Sequence, residues 1–458
     1  MRFKDLASKR VAILGLGREG QSVWRQLRRR YPEMPLGLFE EAPGEDGFSS
    51  LLNPLVDQYN LGPLDVSHLK QFDVLVRSAG ISPYRQELEQ LRLSGMRFTT
   101  ASSLWFAENP GARTICITGT KGKSTTAALV THLLKWTGLK ACLSGNIGRP
   151  MLDCDVNDVD WWVIELSSYQ ISDLEAAPGY VMILNLSDEH IDWHGGSARY
   201  RADKLRLAKL ARGKGLIVNA ADGVLVKSLD KSGGITWFNR GDGWSAGLDR
   251  VTKRQAGGGK AVRVVRGPAS LPGKHNMHNL AATLTLLDEL GLEIQDLDKA
   301  LAAFSGLPHR LQTIGTRDGV RYVDDSISTT PVSVVAALET LGTDGMVLLL
   351  GGLDRGLDWH QFARGLAGHP PLAIITMPDN GEKVYAALQA AGVDPTGGLH
   401  TVDNLSEAEK LEQSLAPYNG CILLSPGAPS FPHFRDFEDR GNQFAAFAGI
   451  EKSISGTH

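Results

Sequence analysis

The chain reads as an α/β protein of three domains, at residues 1–101, 102–306 and 307–458. Three observations predict this. A strand, glycine turn and helix pattern opens at Arg10, and a second opens at Thr114. Beyond residue 307, strand and helix patterns alternate, which implies βαβ units and mostly parallel sheets. A length of 458 residues suits about three ordinary domains. With 42% hydrophobic and 22% charged residues, each can bury a core.

In the first domain, Arg10-Val-Ala-Ile-Leu-Gly15 is an apolar strand. Gly15-Leu16-Gly17-Arg18-Glu19-Gly20 then matches G-x-G-x-x-G ahead of a helix at 21–28. That pattern makes the domain Rossmann-like. It suits a dinucleotide or another diphosphate, including that of a nucleotide sugar, and does not choose between them. Leu36–Glu40 is the next strand, and 73–82 is another that carries Ser78 into a glycine turn.

The second domain is organised by Thr114-Ile-Cys-Ile-Thr118, a buried strand, and the loop Gly119-Thr120-Lys121-Gly122-Lys123-Ser124-Thr125. Apolar residues then recur at helical spacing to Trp136. The glycines let N–H groups converge on an anion at a helix N-terminus. Lys123 supplies a cation for outer phosphates, and the Ser124 or Thr125 hydroxyl can ligate Mg²⁺. The loop is two residues shorter than the general nucleoside-triphosphate motif, yet the domain is phosphate-loop ATPase-like. The apolar strand at Trp161 delivers Glu165 at its end. Glu165 is either a solvated strand-end charge or an acidic Mg²⁺ ligand, and its place after a buried strand favours the ligand. Ser187-Asp-Glu-His-Ile-Asp-Trp-His194 fits no zinc spacing and reads as a loop feeding a Mg²⁺ site. The helix at 199–210 has cationic and apolar faces, and most of its Lys and Arg are expected in solvent. Residues 231–260 suggest hairpins and mobile turns, with Gly257-Gly-Gly-Lys260 among them. Residues 273–279 precede an apolar helix at 280–287.

The third domain has strands at 319–325, 345–351, 372–376 and 421–425 and is Rossmann-like in pattern. A net charge of −3 gives no reason to invoke nucleic acid or a membrane surface. The four cysteines show no metal or redox spacing. Cys116 and Cys421 lie in apolar runs and read as buried thiols, which suits a reducing compartment. With no signal-peptide core at the start and no apolar run of membrane-spanning length, a soluble cytoplasmic protein is expected, and its partners are expected to be small molecules, with the chain a monomer.

Together these pieces resemble the Mur ligases, the ATP-dependent amide-forming enzymes of cell-wall precursor synthesis. The resemblance runs nearly end to end. Its matching pieces are Thr118 to Ser124, Gly145-Asn146-Ile-Gly148, Glu165-Leu-Ser-Ser-Tyr-Gln170, Asp188-Glu-His190, Tyr200 to Lys204, His275-Asn276 with Asn279, Leu307-Pro-His-Arg310 and Asp324-Asp-Ser326. The segments 424–431 and 434–441 look most like the glutamate-adding branch, in which the first glycine turn holds a UDP-sugar. The resemblance implies that ATP phosphorylates the carboxylate of UDP-N-acetylmuramoyl-L-alanine and that an amino acid's amine displaces the phosphate. It implies Lys123, His190 and Lys204 as catalytic residues. Ser124, Glu165 and His190 would hold Mg²⁺, and a carbamylated Lys204 would hold a second ion. Asn279, His309, Arg310 and Asp325 would join the 119–125 loop around ATP. Gly15, Leu16, Gly17, Arg18, Glu19, Ser78, Asn146, Ser167 and Gln170 would face the UDP-sugar, and Thr329, Arg355, Ser430 and Phe437 the amino acid.

Two departures from the D-glutamate pattern stand out. Asp325-Ser-Ile-Ser-Thr-Thr330 carries Ile327 where a lysine is usual, and Arg355 stands where another lysine grips a glutamate carboxylate. Guanidinium is a planar fork and no equivalent of a point-charge ammonium. The pattern looks like the subgroup that adds L-glutamate and leaves inversion to a separate epimerase. The alternatives are the same reaction with D-glutamate and, in a different class, an NAD-dependent oxidoreductase or a nucleotide-gated binding protein. The phosphate loop, Glu165 and His190 argue against that class.

Overall fold

The computed structural model describes residues 1–42, 48–155, 157–211, 215–230, 233–255, 260–268 and 270–450. Two compact units emerge, one of Met1–Pro268 with Gly273–Phe304 and the other of Ala269–Pro272 with Ser305–His458.

The first unit opens with a parallel sheet of β1 (Val11–Leu14), β2 (Leu36–Glu40), β3 (Asp57–Leu61), β4 (Val74–Arg77) and β5 (Arg97–Thr100), in the order β3-β2-β1-β4-β5. The chain leaves β1 first to one side and later to the other. The carboxyl ends of β1 and β4 therefore flank a switch point, where open α/β sheets bind ligands. The 15–20 turn and Ser78 both sit there.

Six strands follow: β6 (Thr114–Thr118), β7 (Ala141–Gly145), β8 (Trp161–Glu165), β9 (Tyr180–Ile183), β10 (Leu216–Asn219) and β11 (Ile235–Phe238). Their order is β11-β10-β9-β6-β8-β7, all parallel. Both β6 and β8 are buried along their whole length, as helix-covered parallel strands must be. One apolar core joins this sheet to the first, with Trp105 against Trp162 at 4.8 Å, so residue 101 falls inside the first unit. An antiparallel meander of β12 (Gly243–Ala246), β13 (Arg250–Arg254) and β14 (Ala261–Arg266) completes this unit.

Within 231–260 the expected hairpin is present as β12 and β13, while the start of the region differs, because β11 adds to the parallel sheet beside β10. The expected Gly257 turn lies outside the described residues. A second correction concerns the helix placed at 280–287, which runs from Lys274 to Glu289. Asn276, Met277 and Asn279 are buried along it. Tertiary burial overrides the weak helix propensity of Asn and His there. The 187–194 loop is likewise shorter, since Ile191–His194 forms one helical turn.

The second unit is a sheet of β15 (Gln312–Arg317), β16 (Val320–Asp324), β17 (Met346–Gly351), β18 (Ala373–Met377), β19 (Leu399–Thr401) and β20 (Cys421–Leu424), in the order β15-β16-β20-β17-β18-β19. Only β15 runs antiparallel, as a hairpin partner of β16 at the edge. No described helix is long and apolar enough to cross a membrane.

Candidate active site

The phosphate loop leaves β6 at the switch point of the six-stranded sheet. Gly122 caps the helix Lys123–Trp136 at φ +82°, in the left-handed region. A Cβ there would also overlap the Asn279 carboxamide, so glycine is required twice over. The loop is tied from outside: Thr120 N–H donates to the Asn185 carbonyl at 3.0 Å and Lys121 N–H to Asn185 Oδ1 at 2.8 Å. Thr120 Oγ1 donates to the Ser187 carbonyl and lies 2.9 Å from the Tyr200 hydroxyl.

Two lysines meet on this loop. Lys123 Nζ donates to the carbonyls of Gly119 at 3.0 Å and Thr120 at 2.9 Å. Lys204 Nζ reaches the same Gly119 carbonyl at 3.0 Å from the helix Ser197–Leu210. Lys204 is only 2% exposed, contrary to the solvated default for that helix. Burial, and then the Lys123 ammonium, pull Lys204 down to about 7, with Glu189 and Glu165 opposing.

Glu165 ends β8 and is 1% exposed. Its Oε1 accepts from Asn146 Nδ2 at 2.6 Å, while buried Oε2 meets no donor among the described residues. A buried carboxylate oxygen left over in this way is what a cation ligand looks like. His190 has φ +55° ahead of the Ile191–His194 turn and packs edge-on to Tyr169 at 5.1 Å. Burial lowers its proton affinity, helped by Lys204, Lys123 and Lys121 and opposed by Glu189. A neutral imidazole is the form that binds metal. These residues fit Mg²⁺, which Ser124, Glu165 and His190 would hold. Ser124 is half-buried and Thr125 buried at the helix start.

At the first sheet, Ser78 Oγ donates to the Gly15 carbonyl at 2.5 Å. Leu16 is buried, Gly17 caps the helix Arg18–Arg30, and Arg18 donates to the Gly148 carbonyl. Glu19 accepts from Gln170 Nε2 at 2.7 Å, and Ser167 forms a capping box with Gln170. The structure thus joins the glycine turn, the Asn146 turn and the Ser167–Gln170 cap within one unit.

In the second unit, His309 adopts φ +61° and its Nδ1 meets Asp324 Oδ2 at 2.7 Å, with Phe437 at 6.0 Å centroid to centroid. Asp325 accepts from Ser425 Oγ at 2.7 Å, from Ser328 Oγ, and from Leu311 N–H at 3.1 Å. Arg310 is half-buried, and its Nε has no partner among the described residues. Ser430 lines a cavity of about 220 Å³ at the carboxyl ends of β17 and β18, with Gly351, Gly352, Met377 and His433. Thr329 is half-buried, while Arg355 stands exposed in the loop after β17.

Burial pushes the Asp325 carboxyl up to about 6, against three hydrogen bonds that favour the anion. The folded state therefore binds the proton more tightly than the unfolded chain, and stability is lost as pH rises from about 4 through about 6. Asp325→Asn removes that loss, roughly 3 kcal/mol at most. The variant is expected to melt higher than the parent at pH 7.5 and alike below pH 4, with reduced turnover. Equal melting at pH 7.5 would contradict it.

Sequence reasoning missed a buried relay. His194 Nδ1 lies 2.6 Å from Asp203 Oδ2, His194 Nε2 lies 3.0 Å from Ser168 Oγ, and Tyr84 donates to Asp203 at 2.6 Å. Its members sit on separate elements, so no local spacing announces them. Arg77 was findable, as a charge inside an apolar strand. It is fully buried and bonds Asp173 at 2.6 Å.

A family model described as the Mur ligase middle domain matches residues 117–287. A protein of Xanthomonas campestris pv. campestris (strain 8004), named UDP-N-acetylmuramoyl-L-alanine--L-glutamate ligase, is 41% identical over 98% of this chain and 97% of its own. A protein of the same name from Salinispora tropica is 34% identical over 97% and 98%. Among solved structures, the UDP-N-acetylmuramate-alanine ligase of Thermotoga maritima matches at TM-score 0.60 and 19% identity, over 96% of this chain and 99% of that one. MurF of Acinetobacter baumannii matches at 0.61 and 18%, over 96% and 93%. The chain belongs to the Mur ligases, the ATP-dependent carbon–nitrogen ligases of peptidoglycan precursor synthesis.

Proposed function

We propose that this enzyme joins L-glutamate to UDP-N-acetylmuramoyl-L-alanine through an acyl phosphate. The observation that carries the chemistry is the meeting of Lys123 and Lys204 on the Gly119 carbonyl, near Glu165. Two amines converging on one oxygen make a site that an arriving anion relieves. The loop amides and Lys123 would hold the ATP phosphates. A carboxylate is a poor electrophile until its oxygen becomes a leaving group, and bringing two anions together needs cations fixed beforehand. Bound at Glu165, His190 and Ser124, Mg²⁺ would neutralise phosphate charge. Residues 1–101 would bind the UDP-sugar, 102–306 ATP and 307–458 the amino acid. Asn146, placed by Glu165, and Gln170, placed by Glu19, would orient the sugar's lactyl-alanine arm. Asn279, His309, Arg310 and Asp325 would bind the nucleotide, and Lys204 would become a carbamate that holds a second Mg²⁺.

The choice of L-glutamate is supported by the near full-length likeness to relatives of that name, and by Ile327 and Arg355 in place of two lysines. With the attacking amine fixed, inverting Cα moves a carboxylate, and its cationic partner must move with it. A misplaced carboxylate left partly unpaired costs roughly 1–3 kcal/mol. The expected result is a kcat/KM for L-glutamate at least about tenfold above that for D-glutamate, measured by phosphate release with the same UDP-sugar. A separate enzyme would then invert the product. Equal or higher values with D-glutamate would overturn the L-glutamate assignment. Absence of release with either enantiomer would overturn the ligase reading.

A further inference from the structure

We propose that His194 is a positioning residue, which ties the helix presenting Lys204 to the cap facing the UDP-sugar, through Asp203 on one side and Ser168 on the other. This role presupposes the ligase function proposed above. His194 is fully buried, and Ser168 and Asp203 are nearly so. Its ring is walled by Trp193, Tyr200 and Tyr169, with centroids 4.5, 5.1 and 5.6 Å away. Buried polar bonds of this kind are not readily exchanged for water, so each holds its partner in place.

The bonds run in one direction. A carboxylate only accepts, so His194 Nδ1, 2.6 Å from Asp203 Oδ2, carries the ring proton. Nε2 is then an acceptor, and the Ser168 hydroxyl donates to it at 3.0 Å. The other Asp203 oxygen accepts from the Tyr84 hydroxyl at 2.6 Å. Asp203 is thereby held from two sides, and both ring nitrogens of His194 are committed.

Both ends of this chain reach the candidate active site. Ser168 opens the helix Ser168–Ile171, whose cap is Ser167 and whose Gln170 bonds Glu19 at 2.7 Å. Asp203 immediately precedes Lys204. Successive residues of a helix point about 100° apart, so fixing Asp203 fixes the rotation of the helix Ser197–Leu210 and the direction in which Lys204 leaves it. Tyr200, one turn earlier, tethers the same helix to Thr120 of the phosphate loop at 2.9 Å. Loss at the Ser168 end therefore loosens the cap and weakens UDP-sugar binding. Loss at the Tyr84 end lets Lys204 shift against the loop and slows the chemical step, for which small misplacements are costly.

Ser168→Ala and Tyr84→Phe each delete one hydroxyl, from opposite ends of the chain. In the full-length enzyme, phosphate release gives kcat and KM, calorimetry gives the Kd for UDP-N-acetylmuramoyl-L-alanine, and thermal unfolding gives the melting temperature. Ser168→Ala is expected to raise KM and Kd for the UDP-sugar by about fivefold, with kcat kept within about twofold. Tyr84→Phe is expected to lower kcat by about tenfold, with KM and Kd kept within about twofold. His194→Asn retains an amide nitrogen near the Nδ1 position for Asp203 and loses Ser168, so it should follow Ser168→Ala. Variants that melt lower while kcat, KM and Kd stay within about twofold would show a chain that only holds the fold, and would overturn the proposal. The same constant moving in both hydroxyl deletions would overturn it as well. Absence of phosphate release from the parent enzyme would instead overturn the ligase reading, and the UDP-sugar Kd of Ser168→Ala would still test the link to the cap.

Discussion

Lys123→Ala is expected to lower kcat by about 10³-fold or more and to leave the fold intact. Lys123 opens a helix of 14 residues, and its ammonium spans the loop by bonding the Gly119 and Thr120 carbonyls. Alanine is the best helix former, and the position is half-buried, so the helix should persist. What disappears is a cation placed before the reaction, at the helix end that already favours anions. Charge on a transferring phosphoryl group grows toward the transition state. The loss should therefore fall mainly on kcat, with a smaller change in ATP affinity. Phosphate release under saturating substrates, together with thermal unfolding of the variant, checks both halves. Near-normal release would mean that the backbone cradle alone does the work, and a collapsed melting transition would mean that Lys123 is a structural staple.

What could be read in the sequence was what is local. The phosphate loop is legible because strand, glycines, lysine and helix are contiguous, and each is required by the geometry of the turn. Glu165 is legible as the end of a run of apolar residues. Tertiary facts are not. Lys204 sits among Arg199, Arg201, Arg206 and Lys209, and a helix so charged reads as a solvated face, yet packing buries this one lysine on the Gly119 carbonyl. The start of the helix Lys274–Glu289 was hidden because Asn and His favour turns, until burial of Asn276 and Asn279 settles the matter. The edge strand β15 escaped because its residues alternate between half-buried and exposed, with none in the core. The Tyr84–Asp203–His194–Ser168 chain draws on four separate stretches, which only the fold unites.

The buried lysine also sets the last expectation. Lys204→Ala is expected to lose about 10²-fold or more in kcat and to regain part of it when acetate or formate is added. A lysine at 2% exposure, facing the Lys123 ammonium, holds its proton poorly. Its free amine is a nucleophile for carbon dioxide near neutral pH, and addition converts a disfavoured cation into an anion. That anion would sit among Lys123, Lys121 and His190, where a negative charge is welcome. Truncation to alanine removes the carboxylate and leaves a space lined by Tyr200, whose ring centroid lies 5.3 Å from Lys204 Nζ. A small carboxylate can enter that space and restore the charge without restoring the amine. Chloride at equal ionic strength should not rescue, which separates charge placement from screening. Lys204→Met, which fills the space, should be as inactive as Lys204→Ala and refuse rescue. If alanine at 204 leaves turnover intact, or if chloride rescues as well as formate, Lys204 serves only as a packing and loop-bonding residue.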